Sequence, residues 1–331
     1  MSMTVAITGA DGFIGSHLTE TLARSGYHVR AMAQYNSFGS WGWLESLDAE
    51  TLASIDVMSG DVRDRNSVLS LMTGADMVCH LAALIAIPYS YQAPGSYLDT
   101  NAGGTLNVLE AGRTLGTPRI VCTSTSEVYG TARVVPITED HPLQAQSPYS
   151  ASKIAADKLA ESYHLSFGLP VVTLRPFNTY GPRQSARAVI PTVISQLAVG
   201  KREIALGSLT PTRDFNFVAD TARAFQSVLE APVGDVVGRT FNAGSGTEIS
   251  VADTVVLIAQ LMGADVEIHT DEERIRPERS EVNRLVSDST ALRQAASWKP
   301  EHTLTEGLTA TIEWFTDPDN LRHYKTDQYN V

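Results

Sequence analysis

Tyr149 and Lys153 stand four positions apart, so on a helix the phenol and the ammonium share one face. A free phenol titrates near about 10, too high for a base at neutral pH, and a neighbouring cation favours its ionised form. The pair is therefore a candidate general base with its tuning group, and Pro148 before it suits the first position of a helix. A second polar group, Thr123-Ser124-Thr125-Ser126-Glu127, closes an apolar run. Hydroxyls at the carboxyl end of a parallel strand meet substrate, whereas elsewhere they cap backbone. Gly9, Gly12 and Gly15 form a third set. Glycine at this spacing lets backbone approach a pyrophosphate at the N-terminus of a helix, or simply makes a tight turn.

These groups need a scaffold, and its rhythm is legible. Apolar runs at residues 4–8, 27–33, within 51–60, 75–80, 119–123 and 170–175 read as strands. Helical patterns at 13–24, 66–73, 101–115 and 149–167 alternate with them. That alternation predicts an α/β fold with a Rossmann-type, doubly wound parallel sheet. The rhythm weakens after Pro176, where loops rich in Pro, Gly and Arg begin. A cofactor-binding domain is expected over residues 1–175, with returning elements at about 213–245. A smaller mixed α/β substrate domain takes 176–212 and 246–331. The glycine triplet follows the first strand and opens the first helix, which favours the dinucleotide reading over the bare turn.

Two details bear on the cofactor. The second strand should end in an acid to grip the ribose 2′-hydroxyl, but Ala33 stands there, followed by Gln34, Tyr35 and Asn36. No Arg follows at once to hold a 2′-phosphate, so NAD is expected and NADP stays open. Asp61 with Val62 is placed to meet the adenine, or makes a plain turn.

The 331 residues are 43% hydrophobic and 19% charged, ordinary for a folded protein with a sizeable core. A net charge of −12 argues against nucleic acid, since no basic run exists to displace phosphate counterions. Cys79 and Cys122 each lie in an apolar run and suggest no disulfide framework. The start of the sequence enters a strand at once, without a leader pattern, and no stretch reaches the length of a membrane span. A cytoplasmic protein without a metal site is expected.

Five motifs together carry a resemblance. Gly9-Ala-Asp-Gly-Phe-Ile-Gly15, His80-Leu-Ala-Ala83, Thr125-Ser-Glu-Val-Tyr-Gly130, Tyr149-Ser-Ala-Ser-Lys153 and Arg213-Asp-Phe-Asn-Phe-Val-Ala-Asp220 occur in that order. The chain thereby resembles the extended short-chain dehydrogenases/reductases that act as nucleotide-sugar epimerases, dehydratases and decarboxylases. The resemblance implies cofactor contacts from Gly9, Gly12, Phe13, Ile14, Gly15, Asp61, Val62, Leu81, Ala82, Ala83, Asn101, Tyr149 and Lys153. It makes Tyr149 the base for the sugar C4 hydroxyl, Lys153 the holder of the nicotinamide ribose, and Thr125 the partner of O4. Asn178, Arg187, Arg213 and Arg276 become substrate contacts, with Arg183 a lesser candidate. The plain alternative for each Arg is a surface ion pair. A homodimer through the helices at 101–115 and 149–167 is implied as well.

Glu127 separates the possible reactions. Simple 4-epimerases generally lack an acid after the hydroxyl cluster. A carboxylate over C5 can remove the proton that a C4 ketone acidifies, which is the 4,6-dehydratase reaction. Ser126 stands where dehydratases of the dTDP-glucose type carry Asp, and Thr-Ser-Glu is similar to the GDP-mannose dehydratases. The segments Tyr35-Asn-Ser-Phe-Gly-Ser-Trp-Gly-Trp-Leu-Glu45, Leu84-Ile-Ala-Ile-Pro-Tyr-Ser-Tyr91 and Arg274–Leu285 resemble dehydratases of the legionaminic acid pathway. The expectation is thus a dehydratase for UDP- or GDP-linked N-acetylglucosamine. Trp41 and Trp43 either close over the cofactor, pack an N-acetyl group, or pack against the domain. A UDP-glucuronate decarboxylase or 4-epimerase is the alternative, and a non-catalytic dinucleotide-binding sensor or scaffold the alternative of another class.

Overall fold

Seven strands lie parallel in one sheet: β1 (Thr4–Thr8), β2 (His28–Gln34), β3 (Asp56–Gly60), β4 (Met77–His80), β5 (Ile120–Thr123), β6 (Val171–Pro176) and β7 (Thr240–Ala243). Their order is β7-β6-β5-β4-β1-β2-β3, the doubly wound arrangement read from the sequence. The structure, a computed structural model, describes residues 2–326, with Glu273 described by its backbone alone. All residues of β4 and β6 are buried, as strands covered on both faces must be. Neighbours in β1 take opposite sides. Val5 and Ile7 pack with Leu18 and Phe225 on one face, and Ala6 with Val68, Val108 and Ile120 on the other.

A separate apolar core lies beyond the ends of the strands. Ile190, Val193 and Leu197 from the helix Val189–Ala198 meet Val255 and Ile258 of the helix Val251–Leu261, and Phe315 of the helix Leu304–Thr316. A two-stranded parallel pair, Glu203–Leu206 with Glu267–Thr270, completes this lobe. Two other short pairs link it to the sheet: Asn178–Tyr180 runs beside Phe215–Phe217, and Thr212–Arg213 beside Ile249–Ser250.

His80 pins the centre of the sheet. Its ring is 2% exposed, with Nδ1 at 2.8 Å from Thr8 Oγ1 and Nε2 at 3.0 Å from Thr105 Oγ1. Burial lowers its pKa to about 3, so it is a neutral link between β1, β4 and the helix Gly104–Leu115. That helix begins later than the periodicity suggests, after a π-helical turn at Leu98–Gly103 that directs Asn101 inward. Among the described residues no helix is long and apolar enough to cross a membrane, and no group of three potential metal ligands is present.

Candidate active site

The carboxyl ends of β1, β2, β4, β5 and β6 open into a cavity of about 1670 Å³ that reaches the second lobe. Pockets for single drug-sized ligands measure roughly 300–1,000 Å³, so this space suits two large ligands side by side.

Its first wall is the loop from β1 to the helix Phe13–Arg24. Gly9 has φ +69°, and a Cβ there would stand 2.6 Å from Ala82 N. A Cβ on Gly15 would come within 2.0 Å of Gly9 O. Only glycine allows this crossing of loop, strand end and helix. Gly12 is the N-cap and no side chain caps the helix, so its first N–H groups face the cavity with the helix dipole behind them. Phe13, Ile14, Leu81, Ala82 and Ala83 line the same wall, and Asp61 and Val62 lie past β3. Arg63 grips Asp61, with Nε at 3.0 Å from both carboxylate oxygens, and holds that carboxyl below its ordinary pKa.

The second wall carries the polar groups of the chemistry. Tyr149 and Lys153 rise on the helix Pro148–Phe167, which Ser147 caps by accepting from Ser150 N. Both are buried. Burial pushes the Tyr149 phenol above its ordinary value, a hydrogen bond with Thr125 opposes this, and the charge of Glu127 adds to the rise. Burial pulls the Lys153 ammonium down, opposed by Asp157, and its Nζ donates to Thr123 O at 2.5 Å. Thr125 caps the short helical turn Ser126–Tyr129, its Oγ1 accepting from Glu127 N at 3.2 Å. Thr125, Ser126 and Glu127 all line the cavity.

Below this turn lies a buried network that sequence reasoning missed. Asp157 accepts from Ser124 Oγ at 2.8 Å and from Arg175 Nη2 at 2.9 Å, while Arg175 Nη1 donates to Tyr129 Oη at 2.8 Å. It anchors both ends of the segment that carries Thr125 and Glu127. No motif flags it, because Asp157 and Arg175 come from a separate helix and strand.

The third wall is basic. Arg213 is 8% exposed and donates to Glu281 Oε1 at 3.3 Å, and Arg276 Nη1 lies 3.6 Å from the same oxygen. Two guanidiniums share one carboxylate here, which leaves a net positive wall suited to an anion. Burial lowers the Arg213 pKa, and Glu127 is the largest charge opposing that, so the acid and the basic wall face each other. Asn178 lines the space with a buried Oδ1 that has no hydrogen-bond partner. Arg187 lines it too, with Nε at 3.0 Å from Ser185 Oγ and its charge acting on Tyr97.

One expected contact lies behind the wall, and two others have protein partners of their own. Asn101 does not line the cavity: its Oδ1 accepts from Leu84 N at 2.8 Å, and Nδ2 donates to Leu84 O and Ser152 Oγ, each at 2.9 Å. It braces Leu84, which lines the wall. Arg183 lines the cavity while paired with Glu20 at 2.9 Å and buried against the first helix. Trp43 lines the cavity, stacked on Tyr324 with ring centres 6.0 Å apart and meeting Trp314 edge-on at 5.5 Å. The segment from Asp319 to Lys325 thereby joins the cavity wall, a contact invisible to local pattern.

Comparison with known proteins follows the same lines. The model of the GDP-mannose 4,6 dehydratase family matches residues 6–311. The chain is 33% identical to the dTDP-glucose 4,6-dehydratase of Streptomyces griseus, over 95% of this chain and 94% of that protein. It is 32% identical to the UDP-glucose 4-epimerase of Mycolicibacterium smegmatis, over 95% and 98%. It is 30% identical to the UDP-N-acetyl-alpha-D-glucosaminuronate decarboxylase of Bacillus cytotoxicus, over 97% and 100%. Among solved structures it resembles the dTDP-glucose 4,6-dehydratase of Bacillus anthracis in complex with NAD, with a TM-score of 0.83 and 26% identity over 96% of this chain and 98% of that one.

Proposed function

The chain belongs to the GDP-mannose 4,6 dehydratase family of NAD-dependent epimerases and dehydratases, and within it we propose that the protein is a 4,6-dehydratase for a UDP- or GDP-linked N-acetylglucosamine. The observation that carries this reading is Glu127, a cavity-lining carboxylate whose charge acts on both Tyr149 and Arg213. NAD⁺, when bound, supplies the acceptor and later the donor of the C4 hydride. Tyr149 takes the proton of the C4 hydroxyl, and Thr125 holds that oxygen. Lys153 keeps positive charge beneath the phenol. Glu127 removes the C5 proton and delivers it to the C6 oxygen, which leaves as water; the hydride taken from C4 then returns to C6, and C5 takes a proton from solvent. Arg213 and Arg276 hold the diphosphate, and Asn178 offers its free acceptor to the substrate.

The wall beside Tyr149 supports a substrate whose C6 becomes a methyl group. Leu84 and Ile87 pack with Tyr97 and Tyr149 there, and an unpaired carboxylate against such a surface is costly. Arg187 favours a second reading, decarboxylation of a glucuronate-type sugar, because it brings a cation near Tyr97. We propose the division of labour that goes with either reading: residues 1–175 with about 213–245 hold the dinucleotide, and 176–212 with 246–331 hold the nucleotide sugar.

The test incubates the purified protein with UDP- and GDP-N-acetylglucosamine and with UDP-glucuronate, and follows mass. Loss of one water from an N-acetylglucosamine nucleotide is expected. Loss of carbon dioxide from the glucuronate, with the others untouched, overturns the dehydratase reading. An isomer of unchanged mass, seen by NMR, makes the protein an epimerase.

A further inference from the structure

The strand that should supply the ribose-binding acid lacks one, yet a carboxylate reaches its end from the loop after the neighbouring strand. Asp11, in the glycine loop, accepts from Gln34 N at 3.0 Å through Oδ2. Its own backbone is fixed in turn: Trp43 N donates to Asp11 O at 3.0 Å, and a Cβ on Gly42 would strike that oxygen at 2.7 Å. Asp11 and Gln34 both line the cavity. In the usual arrangement the acid grows from the second strand toward the glycine loop. Here the same two elements are joined in the opposite sense.

The neighbouring polar groups are otherwise engaged. Tyr35 is 73% exposed, and Asn36 ties its own loop through Gln34 O, Ser40 O and the amides of Phe38 and Ser40. Glu45 accepts from Trp41 N at 2.7 Å. Two cations at this end have partners, Arg63 on Asp61 and Arg322 on Asp319. Among the described residues no ion pair includes Asp11. Burial raises its pKa from the ordinary carboxylate value, the expected effect of a poorly hydrated, unpaired acid.

We propose that Asp11 is the residue that grips the adenosine ribose and selects a dinucleotide with a free 2′-hydroxyl over one with a 2′-phosphate. The carboxylate accepts from the hydroxyl and repels the phosphate across a poorly solvated gap. This rests on the reading of the cavity as an NAD site, and assigns its selectivity to the loop rather than to the second strand.

The test is isothermal titration of nucleotide-free protein with NAD⁺, NADP⁺ and 2′-deoxyadenosine NAD⁺, for the wild type and Asp11→Asn. Asparagine keeps an acceptor for Gln34 N and loses only the charge. The wild type is expected to prefer NAD⁺ over NADP⁺, and the variant to shrink that ratio at least tenfold. A purely structural Asp11 weakens both dinucleotides alike, so a ratio within twofold of wild type overturns the proposal. The wild type needs no variant to show the grip: 2′-deoxy NAD⁺ is expected to bind at least tenfold more weakly, and equal binding overturns it. A wild type that binds neither NAD⁺ nor NADP⁺ overturns the cofactor reading itself.

Discussion

Single residues separate the possible reactions at this site. Tyr149 in the unliganded chain is a protonated phenol, because burial and the charge of Glu127 both oppose ionisation. It becomes a base when the positive charge of the bound cofactor adds to that of Lys153, which confines proton transfer to the loaded site. Glu127→Gln keeps the shape of the side chain and removes the base. Turnover is expected to fall by about 10²–10⁴-fold, the usual worth of a general acid–base group. In D₂O each product molecule gains deuterium at C5 whichever group removes the proton, so the rate at which label appears should fall with turnover. Full activity, or an unchanged rate of C5 labelling, would remove Glu127 from the reaction. The Tyr-x-x-x-Lys spacing and Thr125-Ser-Glu127 were legible beforehand, since each is a local pattern. Asp11 was not, because its meaning depends on Gln34, 23 residues away.

At the scale of elements, the loop after β2 and the end of the chain act together. Trp43 meets Trp314, His323 and Tyr324, rings that belong to the helix Leu304–Thr316 and to the segment beyond it. This aromatic joint spans the cavity near the glycine loop, because Trp43 N is bonded to Asp11 O. Aromatic pairs contribute about 0.5–1.5 kcal/mol each beyond their burial. Trp43→Ala is therefore expected to speed release of the dinucleotide by about tenfold, measured by stopped-flow displacement, with little change in Tm. An unchanged release rate would make the joint a matter of packing alone. The sequence offered three uses for Trp43 and the third, packing against the domain, describes its contacts. An aromatic among glycines is compatible with all three until its partners, some 270 residues on, are placed beside it.

For the whole molecule, the central histidine makes folding sensitive to mild acid. His80 has a pKa of about 3 in the folded chain against an ordinary 6.5, and His17 is lowered to about 4, chiefly by burial. Between pH 6.5 and those values the unfolded chain binds more protons, so stability falls as pH drops through this window. Each such histidine contributes a slope of up to about 1.4 kcal/mol per pH unit. Urea midpoints between pH 6.5 and 5.5 should show it, and His80→Gln, which keeps a link to Thr8 or Thr105, should flatten the slope. Equal slopes would place the acid sensitivity elsewhere. The alternation of apolar strands and amphipathic helices, with glycines at the first turn, determined the parallel sheet and the placing of a glycine loop at its first turn, because those follow from periodicities and spacings within some 30 residues. Only the tertiary structure decided that Asn101 braces the wall, that Arg183 is held by Glu20, that Arg213 and Arg276 share Glu281, and that Asp11 stands at the end of β2. Each of these depends on which distant groups folding brings within about 3–4 Å, the range over which hydrogen bonds and ion pairs form, and no local spacing encodes that.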